Sequence, residues 1–249
     1  MSRVVFDFTG ENFVVTGASS GMGKQVAVEL AAAGANVLAI ARNEARLQEL
    51  QAQYPGNISI AALDVCDSEK MENAIKDFVG ANGKLHGGVH AAGINNFTPL
   101  KTYDKSLANK IMDTSFWAGI ELARIVTKAK YANKGMSTVL FSSVCAQSDE
   151  KGMFAYASAK AAVNACVKSI AKEINAKGHR INSIMPGWVE NSTMTTSVDG
   201  MIDQNFKKKN HLLGLANPDD VTGMVLFLLS DRGSWITGSN IAVDGGYLA

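Results

Sequence analysis

The sequence is poor in the features that mark secreted, nucleic-acid-binding and membrane-spanning proteins. Its 249 residues include three cysteines, which are widely spaced and outside any CxxC or HExxH pattern, so neither a disulfide framework nor a zinc site is predicted. Basic residues number 24 and acidic residues 23, and this net charge of +1 argues against a nucleic-acid partner. The apolar runs all fall short of the roughly 18 residues that a membrane span needs. We therefore expect a cytoplasmic protein without a bound metal, a membrane partner or a nucleic-acid partner.

What the sequence contains is a regular alternation of short apolar runs and helical segments. The runs predicted as strands are residues 12–16, 36–40, 57–63, 87–92, 138–141, 180–185 and 241–246. The segments predicted as helices are residues 24–34, 43–54, 71–79, 103–132, 155–174 and 217–230. Continuous apolar runs are typical of parallel strands that are buried on both faces. The alternation predicts an α/β fold, in which residues 1–249 form one domain with a single doubly wound parallel sheet of about seven strands and helices on both faces.

The first apolar run leads directly into a glycine-rich turn, and a helical segment follows the turn. Residues 16–23 read TGASSGMG, with the spacing T-G-x-x-x-G-x-G. Glycines let the backbone turn tightly and approach a pyrophosphate, whose charge then meets the N–H groups of the new helix. The turn therefore predicts a dinucleotide site formed by Gly17, Ser19, Ser20, Gly21, Met22 and Gly23.

A second group of polar residues follows the predicted strand at residues 138–141. Ser143 comes just after that strand, and Tyr156 and Lys160 are four residues apart in the next helix, so their side chains lie one turn apart on one face. A free tyrosine has a pKa of about 10, and a neighbouring positive charge favours its phenolate. Taken alone, such a pair is usually an ordinary surface contact. A catalytic role is indicated only when the pair is considered together with Ser143 and the spacing between them.

A serine after a strand, 12 intervening residues and then Y-x-x-x-K resembles the signature of the short-chain dehydrogenase/reductase family. The T-G-x-x-x-G-x-G turn resembles the same family. The resemblance covers essentially the whole chain and implies a Rossmann fold, a nicotinamide cofactor and a homo-oligomer, either a tetramer or a dimer. It assigns the general acid/base role to Tyr156. It implies that Lys160 lowers the tyrosine pKa and holds the nicotinamide ribose, and that Ser143 binds the substrate oxygen.

The resemblance also implies cofactor contacts beyond the glycine turn. Asp64 and Val65 correspond to residues that touch the adenine ring. Ala92 and Gly93 correspond to small residues that let the backbone pass beside the cofactor. Pro186 and Gly187 shape the loop around the nicotinamide, where the backbone of Val189 is available to the nicotinamide amide.

The end of the second predicted strand indicates which cofactor is used. A dehydrogenase that selects NAD usually has an acid there to bind the ribose hydroxyls, whereas this chain has Ala41 followed by Arg42. A guanidinium can pair with a 2′-phosphate, so the sequence favours NADP(H) over NAD(H). The alternative is that Arg42 merely faces solvent at the end of a strand.

Two positions depart from the family pattern. His90 stands where the family commonly has an asparagine, and we expect a hydrogen-bonded interior imidazole rather than a metal ligand or an acid/base group. Ser115 stands where many members have an asparagine that anchors a water leading to the lysine. We expect Ser115 to take part in this proton path with a hydroxyl.

The leading functional hypothesis is a carbonyl reductase that uses NADPH, with a 3-oxoacyl thioester on acyl carrier protein as the favoured substrate. The resemblance places basic residues at the mouth of the active site, at Lys134 and Lys177, and the polar segment 190–215 is predicted to form a substrate lid. One alternative is a reductase of a sugar, polyol or other small hydroxy compound, for which Gln147 would supply a partner. An alternative of another class is a non-catalytic NADP(H) sensor.

Overall fold

The computed structural model describes residues 4–148, 151–190 and 210–249. Seven parallel strands form one sheet in the order β3-β2-β1-β4-β5-β6-β7. The strands are β1 (Asn12–Thr16), β2 (Asn36–Ala41), β3 (Ile58–Ala62), β4 (Leu85–His90), β5 (Ala132–Phe141), β6 (Arg180–Pro186) and β7 (Asn240–Val243).

Helices cover both faces of this sheet. They are α1 (Gly21–Ala32), α2 (Glu44–Gln53), α3 (Ser68–Asn82), α4 (Lys105–Met112), α5 (Ala118–Val126), α6 (Phe154–Ile174) and α7 (Pro218–Leu229). Successive residues of β1 point to opposite faces, so Phe13 and Val15 pack with α1 and α7 while Val14 packs with α3 and α5. Both faces are thus buried, and the predicted doubly wound sheet is confirmed.

The strand order fixes where a ligand can bind. The chain builds outward from β1 to β2 and β3, then returns to the other side of β1 to place β4, β5 and β6. In open sheets of this kind, ligands occupy the crevice at the carboxyl ends of the strands where the order reverses. That crevice lies between β1 and β4 and receives the loops that follow them.

The bounds of three elements differ from the sequence prediction in ways that bear on the site. The segment predicted as one helix over residues 103–132 is interrupted by a π-helical turn at Asp113–Trp117, and its last helical part ends at Val126. Strand β5 begins at Ala132, six residues earlier than predicted. The prediction missed this start because Asn133, Lys134 and Gly135 interrupt the apolar pattern. Strand β4 ends at His90 rather than at residue 92, since the chain leaves the sheet there to enter the crevice.

Most of the predicted lid, residues 191–209, lies outside the described residues. One domain over residues 1–249 therefore stays a prediction, although one sheet takes in every described strand. Within the described ranges, helices fall short of the length and apolarity needed to cross a membrane. The same ranges contain no group of three or more histidine, cysteine or acidic side chains placed to hold a metal ion.

Candidate functional site

A cavity of about 440 Å³ opens at the carboxyl ends of β1, β2, β3 and β4. Its volume lies within the roughly 300–1,000 Å³ that small-molecule and cofactor sites occupy. Eleven residues predicted to bind the cofactor line it: Gly17, Ser19, Ser20, Gly21, Met22, Gly23, Arg42, Asp64, Val65, Ala92 and Gly93. The structure thus brings together residues from four separate loops.

Close backbone packing shapes the floor of this cavity. Gly17 has φ +71°, and a Cβ atom built on it would lie 2.6 Å from the backbone nitrogen of Ala92. A Cβ on Gly23 would lie 2.5 Å from the carbonyl oxygen of Gly17. Helix α1 therefore begins directly beneath the turn, and its first turn reads GMGK, without an acidic side chain. Its N–H groups and positive dipole end fit the pyrophosphate of a dinucleotide.

The wall beside β2 carries two guanidinium groups. Arg42 follows β2 and Arg46 stands in the first turn of α2, where its backbone N–H donates to the Oδ1 of the capping residue Asn43 at 3.0 Å. Within the described part of the chain, neither arginine forms an ion pair with a carboxylate. This wall fits an additional phosphate. Sequence reasoning missed Arg46, although its place four residues after Arg42 was a usable signal.

The predicted reacting residues lie on two elements, the carboxyl end of β5 and the start of α6, which are tied to each other. Ser143 is buried, and its Oγ accepts from the backbone N–H of Cys145 at 3.2 Å. Tyr156 stands in the first turn of α6, and the Nζ of Lys160 lies 5.6 Å from the centroid of its ring. Helix α6 is tied to the end of β5 by the Ser142 hydroxyl, which donates to the Lys160 carbonyl at 2.9 Å.

The ammonium of Lys160 is buried, with 2% of the residue exposed. Its Nζ donates to the carbonyl oxygen of Phe141 at 2.7 Å. Burial lowers the pKa of Lys160 to about 8, because removal from water disfavours the charged form. At pH 7 most of this lysine is still protonated, so a positive charge stands beside the phenol.

His90 is a buried bridge between three parts of the fold. Its Nδ1 lies 2.9 Å from the hydroxyl of Thr16 on β1, and its Nε2 lies 3.0 Å from the carbonyl oxygen of Thr114 in the π-helical turn. Because a carbonyl only accepts, these contacts assign the proton to Nε2 and let Nδ1 accept from the hydroxyl. Burial, assisted by the charge of Lys160, lowers the pKa of His90 to about 3. The expectation of a hydrogen-bonded interior imidazole is confirmed.

Ser115 lies in the same π-helical turn and is fully buried. Its Oγ accepts from the backbone N–H of Ile94 at 3.3 Å, and Ile94 lines the cofactor cavity. The residue therefore fixes the loop that follows β4. Such π-helical turns are frequent at functional sites. A role for Ser115 in a water-mediated proton path stays a prediction.

Pro186, Gly187 and Val189 lie at the carboxyl end of β6, beside the end of β5 and outside the lining of the 440 Å³ cavity as the described residues define it. A Cβ on Gly187 would lie 2.9 Å from the Nε2 of His211, and that nitrogen accepts from the backbone N–H of Trp188 at 2.9 Å. His211 thus holds the predicted nicotinamide loop in place. The sequence carried no signal for this contact, because the two residues are 23 positions apart and share no motif.

The loops after β4 and before α6 are joined to each other. The N–H of Thr98 donates to the carbonyl oxygen of Gly152 at 2.5 Å, and the Thr98 hydroxyl accepts from the N–H of Ala155 at 3.4 Å. Gly152 has φ +83°, and a Cβ there would collide with the ring of Phe97. The cofactor side of the site is thereby fixed to the helix that carries Tyr156.

Lys134 and Lys177 do come together, but not at the mouth of the site. Lys134 is the third residue of β5, and the nine residues to Ser143 span roughly 30 Å of extended chain. The expectation that these lysines flank the reacting residues is wrong within one chain. Gln147 follows Ser143 in the segment after the carboxyl end of β5, and its side chain is exposed.

A nucleotide crevice beside a buried serine, tyrosine and lysine defines a nicotinamide-dependent oxidoreductase. A sequence profile described as Enoyl-(Acyl carrier protein) reductase matches residues 17–248. The chain belongs to the short-chain dehydrogenase/reductase family.

Several curated relatives match the chain over almost its whole length. The 3-oxoacyl-(acyl-carrier-protein) reductase FabG of Rickettsia conorii is 31% identical over 245 residues, covering 98% of this chain and 99% of the relative. The D-erythrulose reductase of Gallus gallus is 32% identical over 250 residues, covering 97% of both chains. Carbonyl reductase (NADPH) 2 of Sus scrofa is 31% identical over 247 residues, covering 98% of both. These relatives share carbonyl reduction and differ in the substrate that is named.

Solved structures agree with this assignment. A short-chain type dehydrogenase/reductase from Mycobacterium ulcerans superimposes with a TM-score of 0.88 at 30% identity, covering 98% of this chain and 91% of that one. The chain is therefore an NAD(P)-dependent dehydrogenase/reductase acting on carbonyl compounds, which sets aside the alternative of a non-catalytic sensor.

Proposed function

We propose that this protein reduces a ketone to a secondary alcohol with NADPH, and that Tyr156 supplies the proton. The observation that carries the proposal is the buried Lys160 ammonium, which lies 5.6 Å from the Tyr156 ring centroid. A fixed positive charge in a poorly hydrated site favours the phenolate, so the tyrosine can release its proton near neutral pH.

The other buried groups have complementary roles in this reaction. The Ser143 oxygen already accepts from the Cys145 N–H, which leaves the serine hydrogen to be donated to the substrate carbonyl oxygen. Lys160 uses one N–H on Phe141, and its remaining hydrogens can reach a ribose hydroxyl. The bound cofactor supplies the hydride that the carbonyl carbon receives. The carbonyl oxygen takes the Tyr156 proton, so the alcohol is complete and solvent restores the phenol.

We propose NADPH over NADH because two guanidinium groups, those of Arg42 and Arg46, line the wall beside β2. Arginine binds phosphate through several N–H groups in a fixed fork. The relative from Sus scrofa carries NADPH in its name, which supports the same choice.

The favoured substrate is a 3-oxoacyl thioester, because 3-oxoacyl-(acyl-carrier-protein) reductases from several bacteria are among the relatives of nearly full length. A small hydroxyketone is the second candidate, since the D-erythrulose and L-xylulose reductases match equally well. We further propose that the protein is a cytoplasmic homo-oligomer, a tetramer or a dimer. Trp235, whose surface is 97% exposed in the single chain, supports an oligomer because a partner could cover it.

The test is a substrate panel in which consumption of NADPH and of NADH is followed separately. It contains a 3-oxoacyl thioester, the matching 2-enoyl thioester, D-erythrulose, L-xylulose and a cyclic ketone. We expect NADPH-dependent reduction of the 3-oxo compound and none of the enoyl compound. Preference for a sugar would establish the second candidate, and reduction of only the enoyl compound would refute carbonyl reduction.

The cofactor proposal has its own variant. Replacing Arg42 by alanine should weaken NADPH about 10–100-fold and leave NADH nearly unchanged, because a charged hydrogen bond is worth about 1.5–3 kcal/mol. Arg124→Ala is the control, since Arg124 pairs with Glu121 on the surface of α5. Equal losses for both cofactors would show that Arg42 does not bind the 2′-phosphate.

A further inference from the structure

A second cavity, of about 320 Å³, opens at the amino-terminal edge of the sheet. It lies at the far ends of the two elements that carry the reacting residues, where β5 begins and α6 ends. Its polar lining consists of Lys84, Lys134, Lys177 and His179, and the rest of the wall is alanine. The small alanines leave room between the charged side chains.

His179 has an unusual environment for a buried imidazole. Only 4% of the residue is exposed, and neither ring nitrogen has a hydrogen-bond partner among the described residues. An unpaired polar group in the interior costs about as much as a lost hydrogen bond, so each such group in a folded protein needs an explanation. A ligand in the cavity that His179 lines would provide the missing partner.

The charged residues that line the cavity with His179 are all lysines. In the part of the chain that the structure describes, none of the three lysines pairs with a carboxylate. The Nζ of Lys84 donates to the carbonyl oxygen of Ala129 at 2.9 Å, which satisfies one hydrogen but leaves its charge unbalanced. Burial and the charge of Lys177 hold the pKa of His179 below its ordinary value. The cavity therefore favours an anion and disfavours a further cation.

We propose that this cavity is a binding site for a small phosphate-bearing molecule, held by Lys84, Lys134 and Lys177 and by an N–H of His179. Lysine binds phosphate as a point charge, without a fixed direction. Three lysines carry enough positive charge for a phosphate dianion, whereas a carboxylate ligand would balance only one of them. The volume is at the lower end of the range for ligand sites, which suits a phosphate with a few further atoms. The buried imidazole distinguishes this site from a surface patch, because only a group that enters the cavity can reach it.

Nuclear magnetic resonance of the histidine rings tests the proposal without an activity assay. The chain has four histidines, so the ring signals can be assigned with one variant each. Inorganic phosphate is titrated into the full chain at constant pH and constant ionic strength, with sodium chloride as the balancing salt. We expect a saturable shift of the His179 Cε1–H signal and no matching shift of His90 or His211, which lie at the opposite edge of the sheet.

Lysine variants show whether the cavity is responsible. In Lys134→Gln/Lys177→Gln, the midpoint of the His179 titration should rise about tenfold or more, because two charged contacts are removed. Lys168→Gln/Lys172→Gln is the matched control, since both of these lysines are exposed on α6 outside the cavity. All four substitutions are at exposed positions, so we expect the variants to fold like the parent. Glycerol 3-phosphate is compared with inorganic phosphate to distinguish a phosphate ester, which should bind more tightly, from the free ion.

Three results would overturn the proposal. One is a His179 signal that does not shift with phosphate. A second is an equal shift when sodium chloride replaces phosphate, which would show a response to ionic strength alone. The third is a titration that is unchanged in Lys134→Gln/Lys177→Gln.

Discussion

The two halves of the site are built in different ways. On the side of β1 and β4, the cavity is shaped by backbone and by residues without side chains, such as Gly17 and Gly23. On the side of β5 and α6, the important groups are buried side chains, and Tyr156 and Lys160 are exposed by only 5% and 2%. Substitutions that add volume should therefore disturb the first half. Substitutions that keep the volume but remove a functional group should disturb the second half.

The largest expected effect is in the second half. Tyr156→Phe removes one hydroxyl and should reduce kcat about 10²–10⁴-fold, the usual value of general acid catalysis. Cofactor affinity and the free energy of unfolding should change little. Tyr54→Phe, at the end of α2, is the control and should keep full activity. If Tyr156→Phe turned over at the parent rate, Tyr156 would not be the proton donor, and the second half would not depend on the chemistry of its side chains.

An added methyl group tests the first half. Gly23→Ala should lower the free energy of unfolding by about 1–3 kcal/mol, because its Cβ has no room beneath the carbonyl of Gly17. Cofactor affinity should fall with it, as the turn is displaced. Gly56→Ala is the control, since a Cβ there meets nothing within 4 Å. Urea unfolding and NADPH titration measure both effects, and equal stability of the two variants would contradict the packing argument.

His90 joins the two halves, and its contribution to the free energy of unfolding should depend on pH. Its pKa is lowered to about 3, against an ordinary value of 6.5, so between these values the unfolded chain binds a proton that the folded protein does not. Stability should therefore fall as the pH decreases from 6.5 to 3. Urea unfolding of His90→Asn should show a weaker fall across this window, although the variant loses contacts to Thr16 and Thr114. Parallel curves for parent and variant would mean that another group causes the acid sensitivity.

The smallest expected effect is at Ser115, where the hydroxyl accepts a long hydrogen bond of 3.3 Å from Ile94. Ser115→Ala should cost about 0.5–1.5 kcal/mol of stability. If the predicted water path is real, turnover should also fall, whereas Ser115→Asn should retain it provided the pocket has room. Loss of stability with unchanged kcat in Ser115→Ala would assign the residue to the cofactor loop alone.

The sequence alone was sufficient for the features that repeat along the chain and for those set by local motifs. Each of these motifs is local: the glycine turn spans eight residues, Arg42 follows the end of a strand, and Tyr156 and Lys160 are four residues apart. Sequence spacing was therefore enough to predict them. The start of β5 was missed because Asn133, Lys134 and Gly135 interrupt the apolar pattern there. The partners of His90 are 74 and 24 residues away, and no local pattern indicates them. His179 was missed for the same reason, because only the fold brings it to the lysines.

The hydrogen bonds between Thr98 and Gly152 have a consequence for how this protein can be altered by loop exchange. Gly152 is doubly constrained, by its φ of +83° and by the ring of Phe97. A loop from a relative should therefore fit poorly at residues 94–100 alone, since its side chains would meet a segment that packs against Phe97 and Thr98. Segments 94–100 and 151–155 form one transplantable unit, and chimeras in the search for new substrates should move both together.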